Sequence, residues 1–165
     1  MKAKCILSVM SFLIISIGCE KQNSQEVEDY VALLKSGQYD SFNLPEFKSS
    51  DIPTLLKFVN DTTSITKFPR NGISSYMQLE CNLGMIVLWT IESIRAFEIE
   101  SDRLIGRFPS QNPILALRDT PSEWVFDTAS QLVAAKAYND WWHSNHIFKD
   151  KMKIDPLKDT PYKWH

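Results

Sequence analysis

Two groups of titratable residues in this sequence have types and spacings that could support chemistry. Glu92 and Arg95 are three positions apart in an apolar stretch, so a helix would place both on one face, where they can pair. A carboxylate buried there could have a raised pKa and act as a general acid or base. The neighbouring sequence offers no second titratable partner, so we interpret the two residues as a structural ion pair, with acid–base chemistry as the alternative.

The second group is Asp140, His143 and His146. A helix would project Asp140 and His143 together, and three such ligands could hold zinc or another divalent ion. The pattern lacks the glutamate of the zinc-binding motif H-E-x-x-H, and a cationic histidine near a helix C-terminus is favourable without any metal. We therefore predict no metal and no other cofactor, and these three residues are the alternative metal site.

Aromatic residues concentrate towards the C-terminus. Four of the five tryptophans lie in the last 42 residues. Flat aromatic faces bind glycans or peptides at little entropy cost, so the candidate ligand-binding residues are Tyr138, Trp141, Trp142 and Trp164. The alternative is that the tail folds back and that Tyr162 and Trp164 cover Trp141 and Trp142, since a large exposed aromatic patch is unusual for a monomer.

The N-terminus has the layout of a bacterial export signal. Two lysines within the first four residues are followed by an uncharged, mostly apolar stretch over residues 5–19. That stretch is shorter than the ~20 residues that a membrane-spanning helix needs, and it fits the short apolar region of a signal peptide. It ends in Ile17, Gly18 and Cys19, which resembles a bacterial lipobox, although Ser16 stands where leucine is usual.

The lipobox resemblance implies that residues 1–18 are removed and that Cys19 becomes the lipid attachment site. Residues 19–25 would then be the lipidated cysteine and a polar tether, and residues 26–165 a single domain. Loss of residues 1–18 would leave 147 of the 165 residues and change the formal net charge from −2 to −4. The alternative is an ordinary signal peptide or an uncleaved anchor in which Cys19 is merely buried.

The composition narrows the choice of partner and location. A formal net charge of −2 and a pI of 5.9 argue against a nucleic acid partner, and the five glycines form no phosphate-binding loop. Several acyl chains on one cysteine anchor a protein firmly, so we expect the membrane to be a partner through the lipid anchor. The expected location is the cell envelope, at the outer membrane, with the periplasmic or surface face left open.

Cys81, the one cysteine in the domain, is expected to be a buried hydrophobe.

Apolar residues at helical spacing dominate the rest of the chain. They predict a helix that ends near Gly37, further helices over about 50–59, 76–97 and 128–143, and an extended tail from residue 149. No period-two alternation persists, so we expect little β-structure. Helices joined by short proline-bearing loops predict an all-α single domain of packed helical hairpins, α-solenoid-like in the manner of HEAT or armadillo proteins. Gly84 inside the longest helix predicts a close approach by another helix.

Several stretches beyond the lipobox carry a wider resemblance. They are Asn-Gly-Ile-Ser-Ser at 71–75, Cys-Asn-Leu-Gly at 81–84, Leu-Trp-Thr-Ile-Glu-Ser-Ile-Arg at 88–95, and the closing stretches 155–157 and 162–164. With them, the chain is similar to small lipoproteins of Bacteroides-type bacteria that belong to a family of domains of unknown function. The resemblance implies an envelope location and a helical fold, and it supplies no catalytic residue.

These features favour a lipid-anchored envelope protein that is a non-catalytic binding module. We expect its partner to be another envelope protein or a peptide, because the spacing of residues suggests no catalytic constellation. The second hypothesis is a glycan-binding accessory lipoprotein that uses the C-terminal aromatic residues. The third is a hydrolase built on Glu92 or on the histidine pair. The oligomeric state is left open.

Overall fold

The computed structural model describes residues 24–165. The predicted signal peptide over residues 1–18 and the predicted lipid attachment site Cys19 lie outside the described residues. The first helix, α1, covers residues 24–36 and buries Val27, Tyr30 and the other apolar residues of one stripe. It ends where predicted, because Gly37 takes a positive φ of 66° and the N–H groups of residues 37 and 38 donate to carbonyls of the last turn.

A short helical segment follows in place of the predicted second helix. It consists of a 3-10 turn over Ser49–Asp51, the helix α2 over Ile52–Leu55, and a second 3-10 turn over Leu56–Phe58. Pro53 stands in the first turn of α2, where its missing N–H has no intrahelical acceptor to lose. The apolar stripe of this segment is buried as predicted.

The central element is helix α3, which runs over Leu83–Glu98 and buries 13 of its 16 residues. Its predicted start at Tyr76 is wrong. Residues 76–80 are not helical, and Cys81–Asn82 form strand β2, which pairs antiparallel with strand β1 over Ser64–Ile65. This strand pairing uses the backbone groups that an earlier helix start would need, and Asn82 caps α3 in an extended conformation.

Helix α4 covers Thr128–His143, as the sequence predicts, and packs against α3. Its N-cap is Asp127, whose carboxylate accepts a hydrogen bond from the Ser130 N–H. The tail is not simply extended. It contains the short helix α5 over Phe148–Lys153, whose Met152 is buried in the core, and it ends in a strand.

The second sheet joins the tail to the middle of the chain. Strand β3 over Leu115–Leu117 lies between β4 over Trp124–Val125 and β5 over Tyr162–Trp164, and both neighbours are antiparallel to it. The prediction of an all-α, HEAT-like or armadillo-like solenoid is therefore wrong, because the structure is mixed, with 43% helix and 10% strand. The strands of the second sheet, with two or three residues each, are too short to leave a period-two pattern that stands out in a sequence.

Gly84 lies where three elements meet. A Cβ atom at this position would stand 2.2 Å from Gln131 Nε2 of α4 and 2.3 Å from the carbonyl oxygen of Val59. The close approach predicted at Gly84 is confirmed, although the approaching groups are a side chain and a loop carbonyl instead of a helix backbone. Within residues 24–165, no helix is both long and apolar enough to cross a membrane.

Candidate functional site

The structure brings Glu92 and Arg95 together in a buried ion pair on α3. The Arg95 guanidinium donates to both carboxylate oxygens of Glu92, at 2.6 and 2.9 Å, and to the carbonyl of Met152 at 2.9 Å. The Tyr138 hydroxyl donates to Glu92 at 2.6 Å, and the Trp164 indole N–H donates to the Tyr138 oxygen at 2.8 Å. The ion pair thus links α3 to α4, α5 and β5.

The electrostatics of this network favour a structural role. Burial raises the pKa of Tyr138 far above its usual range, and the negative charge of Glu92 raises it further. Burial alone would lower the pKa of Arg95, but the hydrogen bonds and charge of Glu92 raise it instead. Glu92 therefore faces a permanently charged guanidinium and a neutral phenol, and both of its oxygens are already bonded.

The candidate aromatic residues contribute mostly to the core. Tyr138 is fully buried, and Trp141 is buried with its indole N–H donating to the Lys151 carbonyl at 2.8 Å. Trp142 is partly buried, and the Lys151 ammonium lies 5.2 Å from its ring centroid. Trp164 is also partly buried. The structure therefore gathers Tyr138, Trp141 and Trp164 around the end of α4 without stacking their faces into an exposed platform.

The candidate metal ligands are not brought together. Asp140 forms an ion pair with Lys136, and His143 Nδ1 lies 2.8 Å from the Asn139 carbonyl. His146 is exposed on the loop after α4. In the part of the chain that the structure describes, no group of three or more His, Cys, Asp or Glu residues is placed to hold a metal ion.

A cavity of about 570 Å³ lies between α4 and residues 154–160, and its lining includes Asp140, Trp141 and His146. Both signs of charge line this cavity, and its charged side chains have ion-pair partners nearby. Lys136 pairs with Asp140, and Lys158 pairs with Asp159. A ligand that entered here would find most charges already compensated.

A second cavity has a different character, and we name it the acidic cleft. It measures about 590 Å³, and its lining includes residues 76–82 before and in β2, residues 113 and 114 before β3, and residues 125–127 from the end of β4 to the start of α4. The loop before β2, the edge of the second sheet and the start of α4 thus meet in this cleft.

Two carboxylates give the acidic cleft its charge. Glu80 and Asp127 line it, and the lining contains no lysine or arginine. Glu80 accepts a hydrogen bond from the Ser64 hydroxyl at 3.0 Å, and Asp127 caps α4. Neither carboxylate forms an ion pair with another described residue. The cleft therefore presents negative charge with no cationic side chain in its lining.

The rim of the acidic cleft is apolar. Met77, Leu79 and Phe126 line the cleft, and their exposed fractions are 71%, 72% and 57%. The Tyr76 ring contacts the rings of Trp124 and Phe126, with centroids 5.1 and 6.4 Å apart, and so ties the rim to β4. Contiguous exposed apolar side chains of this kind mark interaction surfaces more often than ordinary surface.

The one thiol in the cleft is not poised for nucleophilic chemistry. Cys81 lines the cleft but is buried, and burial raises the pKa of its thiol to about 12. The thiolate that a cysteine nucleophile needs is therefore scarce at neutral pH. This agrees with the buried, inert role expected for Cys81.

Sequence reasoning missed the acidic cleft because it assigned residues 76–82 to a helix. A usable signal was present: Met77, Leu79, Cys81 and Leu83 alternate with polar residues, which is the period of an extended strand. The other half of the cleft, residues 125–127, depends on the hairpin of β3 and β4, whose strands of two or three residues are too short to leave a recognisable pattern in the sequence.

Comparisons with known proteins give one match. The model of a family described as a domain of unknown function, DUF4943, matches residues 21–165. Neither the curated proteins nor the solved structures contain a match to this chain.

Proposed function

Because the chain belongs to the DUF4943 family, whose domain has no known function, we propose a function from its own residues: it is a lipid-anchored cell-envelope protein that binds another envelope protein or a peptide without catalysing a reaction. The anchor is Cys19, and the expected location is the outer membrane. The lipobox-like end of the signal sequence, Ile17-Gly18-Cys19, supports this part of the proposal.

The observation that carries the binding role is the acidic cleft. It combines a cavity of about 590 Å³, within the ~300–1,000 Å³ typical of ligand sites, with carboxylates that have no ion-pair partner and with exposed Met77, Leu79 and Phe126. By contrast, the carboxylate that could support hydrolysis is internally bonded. Glu92 is held by Arg95 and Tyr138. Exposed apolar side chains beside unpaired charges are the composition of a recognition surface.

The anchor is tested by replacing its cysteine. Cells that express the Cys19→Ser variant and are fed an alkyne-tagged palmitate should give an unlabelled protein that leaves the membrane fraction. The Cys81→Ser variant is the matched control and should remain labelled and membrane-bound, because Cys81 is buried in the domain. Equal labelling of the Cys19→Ser variant and the wild type would refute lipid anchoring at this residue.

The binding role is tested by site-specific photo-crosslinking in intact cells. A photoreactive amino acid at position 77 should give one reproducible protein or peptide adduct. The same amino acid at position 28, on the exposed face of α1, is the control and should not give it. A position 77 that yields no adduct, or the same adducts as position 28, would contradict a binding surface at the acidic cleft.

A further inference from the structure

We propose that the acidic cleft binds an extended peptide with basic side chains, which adds to the second sheet as a new strand beside β4. This inference rests on the proposed binding function and names the chemical class of its partner. Three features of the cleft carry it: the free edge of a sheet, a stretch of unpaired backbone in the lining, and negative charge without a cation.

The free edge belongs to β4. The strand order is β4-β3-β5, so β4 has β3 on one side and no described strand on the other. The Leu117 N–H donates to the Glu123 carbonyl, and hydrogen bonding alternates along an antiparallel pair. The backbone N–H and C=O groups of Trp124 and Phe126 therefore point away from β3. Of these two residues, Phe126 lines the cleft, so the free edge borders the cleft at its C-terminal end.

The loop before β2 supplies a second set of unpaired groups. No backbone hydrogen bond joins residues 77–79 to another described residue. The Gln78 side-chain oxygen also has no hydrogen-bond partner, although it is shielded from solvent. An extended peptide carries one donor and one acceptor per residue, in two opposed rows. In the proposed complex, one row bonds to the β4 edge and the other bonds to this loop.

Charge selects the side chains of the peptide. Glu80 and Asp127 lie in the cleft without an ion-pair partner, so lysine or arginine at the positions that face them would be attracted. Side chains alternate between the two faces of a strand, so the intervening positions can be apolar and contact Met77, Leu79 or Phe126. The ligand is thus an extended segment in which basic and apolar residues alternate.

Synthetic peptides test both parts of the inference on the full-length protein in detergent micelles. The probe is a fluorescein-labelled peptide of eight residues that alternates lysine and valine, and binding is followed by fluorescence anisotropy. Methylation of its backbone nitrogens at alternate residues removes N–H donors and leaves the side chains in place. We expect the parent peptide to bind and the methylated peptides to bind at least about tenfold more weakly, since strand addition depends on these donors.

The charge requirement is tested with a matched pair of variants. Glu80→Gln should weaken binding of the lysine–valine peptide about two- to fivefold at low salt, as expected for loss of one solvent-accessible charge pair. Glu28→Gln, an exposed glutamate on α1, should leave the affinity unchanged. A glutamate–valine peptide should bind more weakly than the lysine–valine peptide. Equal binding of the two peptides, or an unchanged affinity in Glu80→Gln, would overturn the charge argument.

The outcomes separate this inference from the function on which it rests. If the lysine–valine peptide does not bind, or if backbone methylation leaves its affinity unchanged, strand addition is refuted. The binding function would still stand if position 77 gave its specific adduct in cells. If position 77 also gave no adduct, the proposed function and this inference would fail together.

Discussion

Replacement of Gly84 by alanine is the sharpest test of the packing described above. The added methyl group would lie 2.2 Å from Gln131 Nε2 and 2.3 Å from the Val59 carbonyl oxygen, well inside any van der Waals contact. The Gln131 side chain can move, but a move breaks its hydrogen bonds to the carbonyls of Val59 and Asp61, both 3.1 Å long, and its bond from Asn82 at 2.8 Å. The Val59 carbonyl can yield only by shifting backbone.

The size of the effect follows from three contributions. Overpacking in a filled core costs about 1–3 kcal/mol. Each hydrogen bond that Gln131 loses costs about 1 kcal/mol, and more where a buried carbonyl is left unpaired. Alanine is favoured over glycine in a helix by about 1 kcal/mol, which offsets part of the loss. We therefore expect Gly84→Ala to lower the free energy of unfolding by about 2–4 kcal/mol.

Urea denaturation followed by circular dichroism measures this change, and the slope with denaturant checks that unfolding stays two-state. Gly72→Ala is the control. A Cβ atom at Gly72 meets nothing within 4 Å, so this variant should match the wild type within about 0.5 kcal/mol. If Gly84→Ala were neutral, or stabilising by the ~1 kcal/mol that helix propensity alone predicts, the close approach at Gly84 would be refuted.

Two further predictions concern buried and paired charges. Glu92→Gln should lower the free energy of unfolding by about 3–5 kcal/mol in urea denaturation, because it leaves the buried Arg95 guanidinium without a counter-charge. The control Glu98→Gln, on the exposed side of the same helix, should change it by less than about 0.5 kcal/mol. Similar effects of the two variants would contradict the network. For Asp61, burial raises the pKa, but Lys35 at 2.6 Å and further hydrogen bonds lower it to about 2, below the usual 3.8. The stabilisation by the Asp61 carboxylate is therefore present above about pH 4 and is lost as the pH falls towards 2. After allowance for solvent screening, Asp61→Asn should be about 1 kcal/mol less stable than the wild type at pH 7 and about equally stable near pH 2. A difference that persists unchanged at pH 2 would rule out the Lys35 contribution.

The helices with the clearest local signals were predictable. The stop of α1 at Gly37 follows from the preference of glycine for positive φ, and the range of α4 follows from its apolar stripe. The start of α3 was not predictable in this way. Met77, Leu79 and Cys81 alternate with polar residues as in a strand, but Leu79 and Leu83 also fit one face of a helix, and the pairing of β2 with β1 decides between the two.

Among the candidate sites, too, contacts set by local spacing were predictable and contacts between distant segments were not. Glu92 and Arg95 meet as their spacing indicates, because three positions on a helix bring two side chains together whatever surrounds them. The spacing of Asp140, His143 and His146 needs a helix that continues to residue 146, but α4 ends at His143, so the three side chains are not assembled. Trp164 donates a hydrogen bond to Tyr138, but the two residues are 26 positions apart in the chain, and spacing over that distance does not predict a contact.

The sequence by itself determined the features that depend on local chemistry: the apolar stripes of α1 and α4, the need for a small residue at Gly84, and the ion pair of Glu92 and Arg95. The tertiary structure alone decided the mixed fold, because the three-stranded sheet pairs residues 115–117 with residues 162–164 and such short strands are stable only when distant segments pair. It also decided the acidic cleft. Only folding places Glu80 and Asp127 in one cleft and keeps every lysine and arginine out of its lining.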